Sequence, residues 1–339
     1  MSEAEQLKRD LQQFREDFRA LQQEVGRVIV GQQEVVDGTL AAMIAGGHVL
    51  LEGVPGLGKT MLVRTLADAL QLSFSRVQFT PDLMPADLIG TNVVEETADG
   101  RQFRFQHGPV FANIVLTDEI NRATPKTQSA LLEAMAEGAV TAGGSTMALP
   151  DPFLVLATQN PLEMEGTYPL PEAQLDRFFV KLMVRYPSAE DLQSILNRTT
   201  GTETASVNAV MDAERICRMR ELSRQIPVGD DVQKYAVQII LNSHPEQPDS
   251  PELVKRFVRY GASPRGGQAL ILYARILAIL DERYHVACED IDQAAIPVLR
   301  HRLMLNFEGQ AENIAVDRVL EDLIRSTESS SAAAAAAAV

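Results

Sequence analysis

The chain has 339 residues and carries 46 acidic side chains against 31 lysines and arginines, so its formal net charge is −15 at neutral pH. Nucleic-acid binding usually needs a basic surface, so this balance argues against a nucleic-acid partner. Two cysteines are too few for a disulfide framework, and no apolar run reaches the roughly 18–20 residues of a membrane span, so we expect a cytoplasmic protein without a membrane span.

The first 25 residues are polar, but apolar side chains recur among them at steps of three and four. These side chains are Leu7, Leu11, Phe14, Phe18, Leu21 and Val25. Their spacing predicts one amphipathic helix over residues 1–25. Such a helix could pack on the rest of the chain or mediate assembly, and the sequence favours neither.

Residues 26–187 alternate short apolar runs with helical stretches. The runs predict buried strands at 48–51, 73–79, 114–116, 153–157 and 178–184. Helical patterns lie between them, notably over 60–70 and 125–138. Buried strands that alternate with helices are typical of a parallel sheet covered on both faces, so the predicted fold class is α/β.

Two segments of alternating apolar and polar residues interrupt this succession of strands and helices. Residues 91–107 alternate on either side of Asp99-Gly100, and residues 139–149 do so around Gly143-Gly144. Alternating polarity around a glycine-containing turn predicts a β-hairpin in each segment.

Beyond Pro187 the strand patterns give way to helical ones. Amphipathic helices are predicted at about 189–199, 212–225, 229–242, 264–281, 289–304 and 314–325. The sequence therefore predicts a second, all-helical domain over residues 188–326. Residues 327–339 include three serines and seven alanines, and we interpret them as a disordered or artefactual tail.

The segment Gly53-Val54-Pro55-Gly56-Leu57-Gly58-Lys59-Thr60 fits the pattern G-x-x-x-x-G-K-[ST] between a predicted strand and a predicted helix. Its glycines let backbone N–H groups point at phosphate oxygens. Lys59 can reach the β- and γ-phosphates, and the Thr60 hydroxyl can ligate Mg²⁺. A glycine-rich turn without a ligand is the alternative, but the strand before it and the helix after it favour a nucleotide site.

Two adjacent acids, Asp118 and Glu119, follow the apolar run 114–117. Asp118 can hold Mg²⁺ through its water shell, and Glu119 can orient or deprotonate an attacking water. A solvated turn would look similar, but beside the phosphate loop this pair favours ATP hydrolysis. The five histidines are scattered without metal-ligand spacing, so we expect no zinc site.

Further motifs follow in the order that one known fold requires. Thr158-Gln159-Asn160-Pro161 ends the next predicted strand, Arg177 follows on a predicted helix, and Arg265 opens a helix in the second domain. With the phrases at 79–87, 118–123 and 157–161, the chain from about residue 25 to 325 resembles the AAA+ ATPases, and above all their MoxR family.

The resemblance implies a P-loop AAA+ core, an αβα sandwich, over residues 26–187 and a C-terminal helical lid. It implies Asn160 as sensor 1, Arg177 as the arginine finger and Arg265 as sensor 2, beside Glu119 in catalysis. Arg177 could instead form a surface pair with Asp176, and Arg265 could form a salt bridge at its helix start. Arg122 is either a second interface arginine or a surface residue.

The resemblance also implies the cofactors ATP and Mg²⁺. Val30-Gly31-Gln32 resembles the family's turn beside the adenine, although the same stretch could simply begin a helix. Thr60 and Asp118 are the implied metal ligands. The implied nucleotide-binding residues are Val30, Gly31, Gly53, Pro55, Gly56, Leu57, Gly58, Lys59, Thr60 and Met61.

The function that the resemblance implies is ATP-driven remodelling or activation of protein partners by a homo-oligomeric, hexameric ring. It further implies a von Willebrand factor A domain protein as partner and two hairpins facing a central pore; the alternative is two edge hairpins without a contact role. A nucleic-acid motor shares the inserts, but the net charge disfavours it. A nucleotide-gated scaffold that hardly turns over is disfavoured by Asp118, Glu119 and Arg177.

Overall fold

The computed structural model describes residues 3–97, 100–160, 166–200 and 206–337. Within them the chain forms two compact units. The sheet unit comprises residues 16–178 and 182–218, and the helical unit comprises the described residues up to 15, residues 179–181 and those from 219 onward. The division therefore lies beyond the boundary that the sequence predicts near Pro187.

The position of this division has a physical cause in the segment before it. Val210 N–H donates to the Ala69 carbonyl at 2.7 Å. Asn208 donates to the Glu24 carboxylate from its backbone N–H at 2.8 Å and from its side chain at 2.9 Å. These bonds tie the segment to the sheet unit, and apolar periodicity in the sequence does not report them.

The elements are numbered in chain order. The first fifteen are α1 (Glu3–Gly26), α2 (Gln33–Ala45), β1 (Val49–Glu52), α3 (Lys59–Ala69), β2 (Phe74–Gln78), α4 (Pro85–Ile89), β3 (Gly90–Thr97), β4 (Gly100–His107), β5 (Ile114–Asp118), α5 (Pro125–Glu137), β6 (Ala139–Ala142), β7 (Ser145–Ala148), β8 (Leu154–Gln159), α6 (Glu172–Leu175) and β9 (Val180–Met183). The rest are α7 (Ala189–Thr199), α8 (Ala213–Arg224), α9 (Asp230–Asn242), α10 (Glu252–Phe257), β10 (Val258–Tyr260), α11 (Pro264–Leu280), α12 (Cys288–Leu299), β11 (Met304–Leu305), α13 (Phe307–Ala311) and α14 (Val316–Ala337). Short 3₁₀ helices span Pro109–Phe111 and Ile120–Arg122.

Five strands form one sheet in the order β2-β5-β8-β1-β9. The pairings of β2 with β5, β5 with β8 and β8 with β1 are parallel. Burial follows from this arrangement, because every residue of β5 is buried and β8 is buried up to its last residue. The predicted α/β class, with a parallel sheet and a helical C-terminal region, is confirmed.

The register of the sheet brings polar strand ends together. Gln78 at the end of β2 lies opposite Asp118 at the end of β5, and Glu52 at the end of β1 lies opposite Gln159 at the end of β8. In parallel α/β sheets, ligands bind at this carboxyl edge. The candidate site is therefore built where these strands stop.

Apolar side chains from the strands and α5 form the core behind that edge. Leu50, Val115, Val155 and Phe178 are almost completely buried in one cluster, and α5 adds Leu132. Removing this apolar surface from water stabilises the sheet unit and holds the strand ends rigidly in place.

Two antiparallel hairpins extend from the sheet unit. β3 pairs with β4 from Gly90 opposite His107 to Thr97 opposite Gly100, and β6 pairs with β7. Asp99 of the predicted turn lies outside the described residues. Phe103 on β4 is 80 % exposed and lies opposite Val94 on β3. The first hairpin therefore presents an apolar pair to solvent.

α1 covers the residues in which the sequence predicts an amphipathic helix. Five of the six predicted apolar side chains are buried, namely Leu11, Phe14, Phe18, Leu21 and Val25, and Leu7 is partly buried. Within the sheet unit, Asp17 forms an ion pair with Arg215. The part of α1 that belongs to the sheet unit therefore packs on its own chain.

The helical unit contains α9 to α14 and a two-stranded ribbon of β10 and β11. The sequence does not predict this ribbon, because its strands have three and two residues. Such strands are too short to show an alternation of apolar and polar residues. α14 continues to Ala337, so most of the segment 327–339 is helical; alanine is the strongest helix former.

Candidate nucleotide site

Residues 53–58 form the loop that joins β1 to α3. Gly58 lies immediately before α3 with φ +75°, a conformation that glycine adopts without steric cost. A Cβ atom at Gly53 would lie 2.7 Å from the Val184 carbonyl oxygen, so only glycine lets the two backbones approach this closely. The loop thus turns directly into a helix N-terminus, whose free N–H groups favour an anion.

Lys59 is the first residue of α3 and lies half-buried behind the loop. Its Nζ donates to the Gly53 carbonyl at 2.5 Å. Burial lowers the pKa of Lys59 below its usual value, and the carboxylates of Asp118, Glu119 and Glu52 oppose that shift because they favour the charged amine. The Lys59 ammonium group therefore shares one cleft with the loop and with Asp118 and Glu119.

Asp118 is the last residue of β5, and both of its carboxylate oxygens have donors. Arg76 Nε donates to Oδ2 at 2.7 Å, and the Thr158 hydroxyl donates to Oδ1 at 3.2 Å. The Asp118 side chain is only 12 % exposed. A carboxylate so buried needs such partners, since an unpaired buried charge is costly.

Glu119 begins the turn after β5 in the left-handed conformation, with φ 57° and ψ 52°. Its N–H donates to the Thr158 hydroxyl oxygen at 2.9 Å. Its carboxylate accepts from Gln78 Nε2 at 2.8 Å and pairs with Arg122 Nε at 3.1 Å. Backbone strain of this kind is concentrated at functional sites.

One cavity of about 430 Å³ joins these groups. It is lined by the loop, the acids and the end of β8, where Asn160 is buried. The lining residues are Pro55, Gly56, Leu57, Gly58, Lys59, Thr60, Met61, Arg76, Gln78, Asp118, Glu119, Thr158 and Asn160. The structure therefore brings most of the predicted phosphate and metal residues to a single cleft.

A second cavity of about 490 Å³ shares the loop residues 55–59 and is predominantly apolar. Its lining includes Val30, Val35 and Leu62 together with Leu192 and Ile195 of α7. Its volume and apolar lining suit a heterocyclic base.

Gly31 and Gly53, which the sequence also predicts to bind nucleotide, do not line either cavity. A Cβ atom on Gly31 would lie 2.9 Å from the Asp191 carboxylate, so Gly31 packs against α7. Gly53 contributes its carbonyl to Lys59. Both glycines therefore contribute through backbone packing and not by lining a cavity.

The donor set fits a hard divalent cation. Thr60 offers a hydroxyl oxygen and Asp118 a carboxylate, which together with phosphate oxygens are the ligands that Mg²⁺ prefers. Among the residues that the structure describes, no group of three or more histidine, cysteine, aspartate or glutamate side chains could hold a metal ion. A metal at this site would depend on the nucleotide for its remaining ligands.

The two arginines implied by the family resemblance lie in different units of the chain. Arg177 follows α6, half-buried, and its Nη1 donates to the Leu132 carbonyl of α5 at 2.6 Å. Arg265 is exposed at the start of α11, where its N–H donates to the Ser263 hydroxyl at 3.2 Å. Arg177 does not line the 430 Å³ cavity of its own unit.

Sequence reasoning missed Arg76 and Gln78, which engage the two acids directly. The signal was present, because these polar residues alternate with buried Val77 and Phe79 in a strand read only as an apolar run. The base-cavity residues Leu192 and Ile195 were missed because an amphipathic helix does not reveal which neighbour its apolar face contacts.

Comparison with known proteins agrees with this geometry. A family model for ATPases associated with various cellular activities (AAA) matches residues 48–180, and one for the AAA lid domain matches residues 251–323. Chaperone MoxR1 of Mycobacterium tuberculosis is 42% identical over 303 residues, which are 89% of this chain and 80% of the relative. The chain belongs to the MoxR family of AAA+ ATPases.

Two further relatives span nearly the whole chain. Protein MoxR of Methylorubrum extorquens is 32% identical over 332 residues, which are 93% of this chain and 95% of that protein. A crystal structure of a Cytophaga hutchinsonii protein proposed to be an ATPase superposes with a TM-score of 0.89 at 38% identity, covering 96% of this chain and 98% of that one. The MoxR assignment therefore extends over both units. No described helix of this MoxR-family chain is long and apolar enough to cross a membrane.

Proposed function

We propose that this MoxR-family protein binds ATP with Mg²⁺ and hydrolyses it in the 430 Å³ cleft, as a ring oligomer that remodels or activates protein partners. The observation that carries the proposal is the convergence of the phosphate loop, Asp118, Glu119 and Asn160 on that one cleft. A phosphate binder, a metal ligand and a general base are the parts that phosphoryl transfer to water requires.

The phosphate loop binds the polyphosphate through its backbone N–H groups at the start of α3. Lys59 Nζ leaves the Gly53 carbonyl and contacts the β- and γ-phosphates. The apolar cavity beside the loop takes the adenine. Binding therefore replaces an internal hydrogen bond of Lys59 with a charge-assisted one, which is stronger.

Glu119 orients the attacking water and accepts its proton while the new oxygen–phosphorus bond forms. The bond between the γ-phosphorus and the bridging oxygen breaks, and ADP leaves with the electron pair. Bound Mg²⁺, held by Thr60 and Asp118, would neutralise charge that develops on the phosphate oxygens. Asn160, at the end of β8, contacts the γ-phosphate or the water through its amide.

Two variants separate binding from chemistry. Lys59→Ala removes the cation opposite the phosphates, so ATP binding by calorimetry should be lost. Glu119→Gln keeps the shape but removes the base, so ATP should bind and hydrolysis should fall by about 10²- to 10⁴-fold.

Glu133→Gln, at an exposed position on α5, is the matched control and should leave both binding and hydrolysis unchanged. Tight ATP binding by the Lys59 variant would refute the phosphate-loop assignment, and full activity of the Glu119 variant would refute the base.

The ring is proposed because Arg177, with its guanidinium held on α5 and not in its own cleft, matches the family's arginine finger. An arginine that reaches the neighbour's γ-phosphate stabilises the transition state only in an oligomer. We propose the hexamer on the family resemblance, with Arg265 as sensor 2.

Protein partners are proposed because of the first hairpin. Its arginines are neutralised within the hairpin, since Arg101 pairs with Glu96 at 3.0 Å and Arg104 with Glu95 at 3.4 Å. The exposed Phe103 is better suited to an apolar protein surface than to phosphate.

The name of Chaperone MoxR1 agrees with protein partners, and a von Willebrand factor A domain protein is the proposed one. We expect no DNA complex at physiological salt. A micromolar DNA complex with steep salt dependence would favour a nucleic-acid motor instead.

A further inference from the structure

Arg76 is a charged residue in the cleft whose role neither the phosphate loop nor the acid pair explains. It lies on β2, at the edge of the five-stranded sheet. Buried Val77 separates it from Gln78, so both polar side chains lie on one face of the strand, and both line the cleft.

The partner of Arg76 is the carboxylate that the proposed function assigns to Mg²⁺. Arg76 Nε lies 2.7 Å from Asp118 Oδ2, and the Thr158 hydroxyl lies 3.2 Å from Oδ1. Half of the Arg76 side chain is exposed, against 12 % of the Asp118 side chain. The acid is the buried member of the pair, and the guanidinium is the exposed one.

We infer that Arg76 competes with the divalent cation for Asp118 and so sets the metal affinity of the nucleotide site. This inference rests on the proposed function. A guanidinium N–H on Oδ2 uses the lone pairs that a metal, or a water bound to it, would use, and two cations on one carboxylate repel each other. Metal binding must therefore displace or weaken the contact.

The half-exposed position of Arg76 makes such displacement inexpensive. A partly exposed ion pair contributes up to about 1 kcal/mol, which corresponds to about fivefold in an equilibrium constant. Arg76 therefore compensates the buried charge of Asp118 but does not block the metal. Its removal should tighten metal binding by about two- to fivefold.

The test measures Mn²⁺ in place of Mg²⁺. Free Mn²⁺ is counted by electron paramagnetic resonance in the presence of saturating ADP, so the readout does not depend on hydrolysis. Arg76→Gln should lower the Mn²⁺ dissociation constant about two- to fivefold. Arg76→Lys retains the cation and should stay close to the native value.

Arg101→Gln is the matched control, because Arg101 also donates its Nε to a carboxylate, that of Glu96, outside the cleft. It should leave Mn²⁺ affinity unchanged. ADP affinity measured in chelator without metal should be the same in all variants, since Arg76 acts on the metal ligand and not on the nucleotide.

Equal or weaker Mn²⁺ binding by Arg76→Gln would overturn the inference and make Arg76 an orienting residue. Loss of metal-free ADP affinity in that variant would also overturn it, because Arg76 would then contact the nucleotide. If the native chain binds no Mn²⁺ with ADP, the proposed function itself fails. That result is seen in the native chain, whereas failure of the inference alone is seen only in the Arg76 variant, so the two failures are distinguishable.

Discussion

Asp118 and Glu119 are neighbours in sequence, but their carboxylates face different partners. Asp118 keeps the strand conformation of β5, whereas Glu119 adopts the left-handed conformation with φ 57°. That conformation costs on the order of 1–2 kcal/mol for a residue with a side chain. The Glu119 N–H bond to Thr158 offsets part of it. In the proposed function, one acid can thus serve the metal while the next serves the water.

His48, directly before β1, is a second residue whose environment determines its chemistry. It is buried, and its Nδ1 accepts from Val155 N–H at 3.1 Å while its Nε2 donates to the Met135 carbonyl at 3.0 Å. Burial lowers the pKa of His48 to about 4. The neutral ring therefore joins β1 to β8 and α5 behind the phosphate loop.

We predict that His48 lowers the free energy of unfolding at acid pH. Between pH 6.5 and about 4 the unfolded chain binds a proton on His48 and the folded chain does not, so the free energy of unfolding falls as the pH falls. His48→Gln does not titrate. Its free energy of unfolding relative to the native chain should rise by about 2 kcal/mol from pH 7.5 to pH 5 in denaturant titrations. Parallel pH profiles would contradict this.

At the scale of elements, α5 links the acid turn to the arginine segment. Gln128, fully buried on α5, donates its amide to the Ile120 carbonyl at 3.1 Å and to the Tyr168 carbonyl at 2.9 Å. One turn later, the Leu132 carbonyl accepts from Arg177. Residues four apart lie on the same helix face, so one face of α5 positions both segments.

Gln128→Leu should therefore reduce both stability and turnover. The variant keeps the side-chain volume but leaves the carbonyls of Ile120 and Tyr168 without this donor, at a cost of about 1–3 kcal/mol in the free energy of unfolding. ATP hydrolysis should fall because the turn after Glu119 loosens, while ATP binding at the phosphate loop stays unchanged.

Gln174→Leu is the control for that change. Gln174 lies on α6, and its amide makes a 3.5 Å contact to Ser129 on α5. Removal of this amide should alter the free energy of unfolding by less than about 0.5 kcal/mol. Native stability and turnover in Gln128→Leu would show that α5 does not hold the turn through this amide.

At the scale of the whole molecule, the proposed ring makes each site depend on two chains. Glu119→Gln and Arg177→Ala should each abolish hydrolysis, for different reasons. On mixing, about a quarter of the interfaces should pair an intact Glu119 with a neighbour's intact Arg177. Those interfaces should recover part of the ATPase activity, measured as phosphate release after subunit exchange.

A second mixture serves as the control. Lys59→Ala and Glu119→Gln both damage the phosphate-binding side of the interface, so no combination of these chains restores a complete site. Absence of recovery in the Glu119 and Arg177 mixture, with exchange demonstrated, would leave Arg177 as a residue that only anchors its segment to Leu132.

The sequence by itself determined the class of fold and most of the residues that line the cleft. Apolar runs separated by helical periodicity specify a parallel sheet, because burial on both faces demands it. The phosphate loop and the acids at the end of β5 could be predicted because each motif joins residues adjacent in the chain. Their convergence follows from the general position of strand ends at one edge of a parallel sheet.

Only the tertiary structure decided which side chains meet across that edge. Arg76 reaches Asp118, Gln78 reaches Glu119 and Arg177 reaches Leu132, and each contact joins residues some forty positions or more apart. Such pairs depend on the strand order β2-β5-β8-β1, which periodicity does not encode because it reports burial and not neighbours. The same limit applies to the segment before Arg218, whose hydrogen bonds to Ala69 and Glu24 join it to the sheet unit.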